Sequence, residues 1–143
     1  MRINDVLRSK PSSEVVTISP DATVRELIAS LAQHNVGALI VSVDGASVDG
    51  IVSERDVVRK LHADEAVLDQ PVHAIMTSSV QTCGGDHEVD HLMKIMTDHR
   101  IRHVPVVADG RLTGIISIGD VVKSRIGELE FERDQLDHYL HQT

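Results

Sequence analysis

Gly50-Ile51-Val52-Ser53-Glu54-Arg55-Asp56 and Gly114-Ile115-Ile116-Ser117-Ile118-Gly119-Asp120 are two versions of one heptapeptide. Each runs from a glycine through two apolar β-formers to a serine, with an aspartate three residues further on. An amphipathic stretch follows each time, Val57-Val58-Arg59-Lys60-Leu61 and Val121-Val122-Lys123-Ser124-Arg125-Ile126. The chain is therefore read as a repeat.

The residues around the heptapeptides recur with them. Thr17, Asp21, Val24, Leu27, His34, Val41, Asp44 and Gly45 reappear as Thr82, Asp86, Val89, Leu92, His99, Val106, Asp109 and Gly110. The lead-in repeats as well, because Ile3, Val6 and Leu7 have the spacing of Val72, Ile75 and Met76. Two copies of one unit, each too small to bury its own apolar face, are expected to pack together. We divide the chain into a first repeat over 1–66, a second over 67–127 and a C-terminal amphipathic helix over 128–143.

With 143 residues, of which 41% are hydrophobic, the chain holds one compact domain or two intimate halves. Phe131 and Tyr139 are its only aromatic residues, so Val, Ile, Leu, Met and Ala must build the core. Fourteen basic against 22 acidic residues give a formal charge of −8, which repels phosphate backbones at long range and argues against nucleic-acid binding. A local basic cluster can still hold a small anion. The single Cys83 cannot form an intramolecular disulfide, residues 1–10 lack the apolar core of a signal peptide, and the longest wholly apolar run, 38–41, is too short to cross a bilayer. These features lead us to expect a cytoplasmic protein with no membrane partner.

Along the chain, 3–7 reads as a short helical turn, followed by a break at Lys10-Pro11-Ser12-Ser13 and a short strand over 15–18. Thr23-x-x-Glu26 is a capping box ahead of apolar residues at 24, 27, 28 and 31, one face of a helix that Asn35-Val36-Gly37 ends. Strands over 38–43 and about 48–52 flank a turn at Asp44-Gly45, and a helix follows over about 53–61. Each repeat is thus β-α-β-β-α. The polar stretch 62–70 reads as a hinge. The second copy then gives a strand near 80–83, a helix face at 89, 92, 93 and 96, strands over 104–108 and 112–116, and a closing helix from 117 to about 126.

Ser-x-x-Asp at a helix start has a purely structural reading, in which Ser53 and Ser117 are N-caps and Asp56 and Asp120 sit favourably in the first turn. Its double occurrence after a strand supports a second. A strand that hands over to a helix N-terminus offers backbone N–H groups to an anion, and a serine hydroxyl adds a donor. An ionised aspartate one turn in accepts from two vicinal ribose hydroxyls. Both readings stand at this point.

Other constellations are weaker. His87 and His91, like His138 and His141, have the spacing of metal pairs but lack an evident third ligand. Cys83 has no context for a nucleophile and reads as a small buried apolar residue. Neither a phosphate-binding G-x-x-x-x-G-K-[ST] loop nor G-x-G-x-x-G after a strand is present.

The two heptapeptides, Thr17 and Thr82 at the first strands, and Arg102-His103-Val104-Pro105-Val106 together resemble a tandem cystathionine-β-synthase (CBS) domain pair, the Bateman module, of the small stand-alone bacterial type. The resemblance spans about 3–126. It implies an α/β fold of two pseudo-symmetric repeats with two clefts, each taking an adenine nucleotide such as AMP, ADP, ATP, NAD or S-adenosylmethionine. Carried over here, one site combines Ser117 and Asp120 with Thr17, Gly37 and Ala38; the other combines Ser53, Arg55 and Asp56 with Thr82, Arg102 and His103. The aspartates hold ribose, the serines and basic residues face phosphate, and adenine lies near Ile18 or Cys83.

The clefts are unequal, because Gly37-Ala38 stands where the second copy has Arg102-His103. Gly119 lets a ligand approach the backbone beside Asp120, which favours that site if only one is filled. Functionally this implies a non-catalytic sensor, with AMP as the first ligand to expect, a homodimer, and a protein target that receives the signal. The other reading is a constitutive dimeric scaffold in which Ser-x-x-Asp only caps helices.

Overall fold

A computed structural model of the chain describes residues 1–11 and 15–141. The sequence readings at Ser12, Ser13 and the last two residues of the tail lie outside them. In chain order the elements are α1 (Ile3–Ser9), β1 (Thr17–Ile18), α2 (Val24–His34), β2 (Ala38–Val41), β3 (Gly50–Ser53), α3 (Glu54–Ala63), β4 (Cys83–Gly84), α4 (Val89–His99), β5 (His103–Ala108), β6 (Arg111–Ser117) and α5 (Ile118–Leu140). Two 3₁₀ turns, Glu65–Asp69 and Val72–Ala74, join the halves.

Each repeat makes its own three-stranded sheet, β1-β2-β3 and β4-β5-β6. The first pair in each is parallel and the second antiparallel. The register sets Ala38 opposite Ser53 and His103 opposite Ser117, so the start of each middle strand lies beside the start of the closing helix.

The helices form where the apolar spacing places them. Thr23 caps α2 by accepting from Glu26 N at 3.1 Å, and Val24, Leu27 and Leu31 are buried, whereas Ile28 is at the edge of the face and exposed. Asn35 then takes a left-handed conformation (φ 52°) that stops the helix, as Arg100 (φ 54°) does after α4. Asn tolerates that region well; Arg does not. β2 ends two residues before the expected 43, because Val43 turns outward and the Asp44 and Asp49 carboxylates take up the loop N–H groups.

The buried residues fall into two aliphatic clusters, and the lead-ins are exchanged between them. Ile3 and Val6 of α1 lie in the second cluster with Leu92, Val104 and Ile116, while Val72 and Ile75 lie in the first with Leu27, Val41 and Val52. Matching backbone bonds fix both docks. Val72 N donates to Ala22 O at 2.8 Å and Val24 N to Gln70 O at 3.0 Å; their counterparts are Ile3 N to His87 O at 2.9 Å and Val89 N to Met1 O at 3.0 Å. At about 1.5–3 kcal/mol per fully buried aliphatic side chain, Ile3 and Val6 together contribute on the order of 3–6 kcal/mol to a core that is not their own repeat's. The copies are held together by this trade.

Two further sequence expectations change. The hinge at 62–70 is partly ordered, with Val67 buried in the first core. The closing helix does not stop near 126 but runs on as one helix of 23 residues through Gly127. A glycine inside a helix costs only about 1 kcal/mol, and the Arg125–Glu128 ion pair at 2.9 Å spans it. Among the described residues no helix is long and apolar enough to cross a membrane.

Candidate functional site

Both Ser-x-x-Asp motifs form complete capping boxes. Ser53 N and Oγ donate to Asp56 Oδ2 at 2.9 and 3.1 Å, and Asp56 N donates to Ser53 Oγ at 3.4 Å. Ser117 N donates to Asp120 Oδ2 at 2.9 Å and Asp120 N to Ser117 Oγ at 3.1 Å. The first helical N–H is also used, Glu54 N on Gly37 O at 3.0 Å and Ile118 N on Arg102 O at 2.8 Å. Of the unsatisfied donors that open a helix, the closed boxes leave few for an anion. An anion held here would therefore rely on side chains.

Around Asp56 those side chains exist. A cleft of about 340 Å³ is lined by Gly37 and Ala38, by Ser53, Arg55, Asp56 and Arg59, by the segment 77–81 without Ser78, and by 100–103. It gathers four arginines, 55, 59, 100 and 102, against the carboxylates of Glu54 and Asp56, in a chain of net charge −8. None of the four guanidinium groups is in an ion pair among the described residues. Asp56 takes its bonds on Oδ2, so Oδ1 is uncommitted.

Asp120 has a different setting. It lines a cleft of about 420 Å³ between α1 and α5, together with Asp5, Lys10, Lys123 and Phe131. Lys10 Nζ lies 3.0 Å from Asp120 Oδ2 and donates to Ile115 O at 2.9 Å. Partial burial alone would raise the Asp120 carboxyl, but the Ser117 N–H and the bond and charge of Lys10 outweigh it and hold the pKa below the ordinary value.

His103 stands between the two settings. Desolvation, the largest influence, pushes its imidazole below the ordinary value. Asp120 and Glu54 pull it back up, and Lys10 and Arg102 add to the fall. A Cβ at Gly37 would lie 3.8 Å from His103 Cε1 and 3.5 Å from Glu54 Oε1, ordinary contact distances, so the ring and the carboxylate both border this position.

Of the residues singled out from sequence, Gly37, Ala38, Ser53, Arg55, Asp56, Arg102 and His103 meet in one cleft. Gly37 and Ala38, assigned from sequence to the Asp120 set, line the Asp56 cleft because of the Ala38–Ser53 register. Thr17, Ile18, Thr82, Cys83, Ser117 and Gly119 line neither cleft described. Ile18 and Cys83 are core residues, and burial pushes the Cys83 thiol up to about 11. His87 and His91 touch edge to face, and no group of three His, Cys, Asp or Glu side chains suited to a metal occurs among the described residues.

Sequence reasoning missed Glu54, Lys10, Arg59 and Arg100. Arg59 is one helical turn beyond Arg55, a signal that was readable. Lys10 reaches Asp120 from 110 residues away and had none.

Comparison with known proteins follows the same outline. The CBS-domain model matches residues 3–63 and 72–127. The mitochondrial CBS domain-containing protein CBSX3 of Arabidopsis thaliana is 37% identical over 146 residues, covering 96% of this chain and 71% of that protein. The crystal structure of the CBS-domain containing protein ATU1752 from Agrobacterium tumefaciens superposes with a TM-score of 0.83 at 44% identity, over 87% of this chain and 99% of that one. The CBS domain pair of protein MJ0100, solved in complex with 5′-methylthioadenosine and S-adenosyl-L-methionine, gives 0.76 at 27% identity, over 86% of this chain and 98% of that one.

Proposed function

The chain belongs to the CBS-domain family, and from that premise we propose that it is a non-catalytic regulatory module that binds an adenine nucleotide in the Asp56 cleft. The observation that carries the reading is the cluster of four arginines without ion-pair partners around a carboxylate with a free oxygen. Arginine forks match phosphate oxygens, and a carboxylate accepts from vicinal hydroxyls. A volume of about 340 Å³ lies within the usual range for small-molecule sites. The adenosine compounds held by the MJ0100 pair support the same ligand class. Among such ligands the positive lining favours those that carry phosphate, AMP first to be tested and ADP, ATP and NAD with it, over the uncharged or sulfonium tails of those two compounds.

The same geometry favours one site over two. Lys10 stands on the Asp120 carboxylate, so a ribose at that position must first displace an ion pair. Binding at Asp56 shifts the angle between the repeats, or the homodimer, only so far as the two states differ in affinity, and a protein target reads the change.

The scaffold reading also has an observation behind it, since both aspartates already work as caps. Titration calorimetry with AMP, ATP and NAD separates the two. Asp56→Asn keeps an oxygen to accept from Ser53 and removes the charge. The sensor reading expects one nucleotide per wild-type chain and at least about tenfold weaker binding in the variant, the scale of a lost hydrogen bond to a charged group. Absence of heat with all three at millimolar concentration supports the scaffold instead.

A further inference from the structure

α1 and α5 touch without closing on each other. The cleft of about 420 Å³ between them has the size that small molecules occupy, and no residue of either sheet lines it, whereas Ala38, Ser53 and His103 line the Asp56 cleft. It is a separate place on the molecule. Its α5 wall is Asp120, Lys123, Ser124, Gly127, Glu128 and Phe131, whose spacing keeps them on one side of the helix.

Two features of that wall serve no packing. A Cβ at Gly127 would meet nothing within 4 Å, so a residue poorly suited to a helix interior leaves open space at the middle of the wall. Phe131, one turn further on, borders the same space and is 65% exposed. Val6 and Pro11 line the α1 side, so the slot over Gly127 has apolar walls.

Charge fixes the sign of an occupant. Each carboxylate in the lining already has a cation, since Asp5 pairs with Arg8, Asp120 with Lys10 at 3.0 Å and Glu128 with Arg125 at 2.9 Å. Lys123 lines the cleft with no ion-pair partner among the described residues. The surplus is one ammonium group.

We propose that this cleft is a second ligand site, for a small aromatic carboxylate whose ring stacks on Phe131 over Gly127 and whose anionic group pairs with Lys123. A ring set against Phe131 gains from offset or edge-to-face stacking beyond the area it buries, and a carboxylate on Lys123 disturbs no existing pair. Lys10 stays on Asp120. The proposal goes beyond the nucleotide reading, and neither depends on the other.

Saturation-transfer NMR titrations of the full chain with cinnamate, and with cinnamyl alcohol as its uncharged counterpart, test it. The acid is expected to bind about fivefold more tightly than the alcohol, the scale of one exposed ion pair, and Lys123→Gln to remove that difference. Gly127→Leu puts a better helix former into the open space, so it is expected to abolish binding of both while helical circular dichroism is kept or increased. AMP should leave the cinnamate signal unchanged. No binding of cinnamate at millimolar concentration, equal binding of acid and alcohol, a Gly127→Leu variant that binds as the wild type does, or displacement by AMP overturns the proposal.

Discussion

The exchanged lead-ins predict an ordered cost for two alanine substitutions at the glycines that head the heptapeptides. A Cβ on Gly114 would lie 2.6 Å from Leu7 Cδ2 and 3.1 Å from Leu7 Cδ1, the far end of a flexible side chain. A Cβ on Gly50 would lie 2.5 Å from Met76 Sδ but also 3.0 Å from the Thr77 carbonyl oxygen. That oxygen accepts from Ile51 N, and Thr77 N donates back to Ile51 O, so it cannot retreat without breaking a bonded pair. Overpacking a fitted contact costs about 1–3 kcal/mol. Replacing glycine returns about 0.4–1 kcal/mol through the unfolded chain. Gly114→Ala is therefore expected to lose about 0.5–1 kcal/mol and Gly50→Ala about 2 kcal/mol. Urea unfolding followed by circular dichroism gives both numbers, and at about 2–4 °C per kcal/mol the melting temperatures should separate as well. Leu7→Ala, itself destabilising, should abolish the extra cost of Gly114→Ala in a double-mutant cycle. Equal losses at the two glycines, or additive Leu7 and Gly114 effects, would refute the seating of α1 on β6.

Arg100 occupies a left-handed position (φ 54°) that disfavours an arginine, and it lines the Asp56 cleft. Arg100→Gly is expected to stabilise the fold by about 0.5–1 kcal/mol while weakening nucleotide binding, measured by thermal melts and calorimetry on one preparation; unchanged affinity removes Arg100 from the site. His103 has a folded pKa below its ordinary 6.5, so the unfolded chain binds the proton first and His103's contribution to stability, present above 6.5, is lost as pH falls through that value and on through the depressed folded pKa. Urea midpoints between pH 8 and pH 5 should fall less steeply in His103→Gln than in the wild type, and parallel curves would show that the ring is not desolvated.

The repeat made most of the fold readable. Thr17 through Gly45 recurring as Thr82 through Gly110 placed both sheets and the helices between them, and Asn35-Val36-Gly37 announced a helix end that the left-handed Asn35 makes. The exchange of lead-ins was not readable, because Ile3-x-x-Val6-Leu7 states which side of α1 is greasy and not which of two aliphatic cores accepts it. Gly127 suggested a break that the structure does not have, since one unfavourable residue is outweighed by turns on either side. In the candidate cleft, Ser53 and Asp56 stand in the repeated heptapeptide and Arg102 and His103 came with the family resemblance, whereas the place of Lys10 beside Asp120 depended on a contact only the folded chain creates.

The two halves differ most where the repeat is broken by substitution rather than by length. Ala38 and His103 hold the same strand position, opposite Ser53 and Ser117 in turn. The small pair Gly37-Ala38 lines the Asp56 cleft, with His103 and Glu54 within contact distance of Gly37. Four arginines then collect on one side of the molecule, while the other side meets its carboxylate with Lys10 from α1's own trailing end. All four arginines are exposed, so water and the acidic chain around them offset much of their mutual repulsion, and what they offer an anion is their convergence on one cleft. A cap needs none of them, since Ser53 and Asp56 complete the box alone. The convergence of the arginines, more than the repeated aspartate, is what the sensor reading explains and the capping role does not.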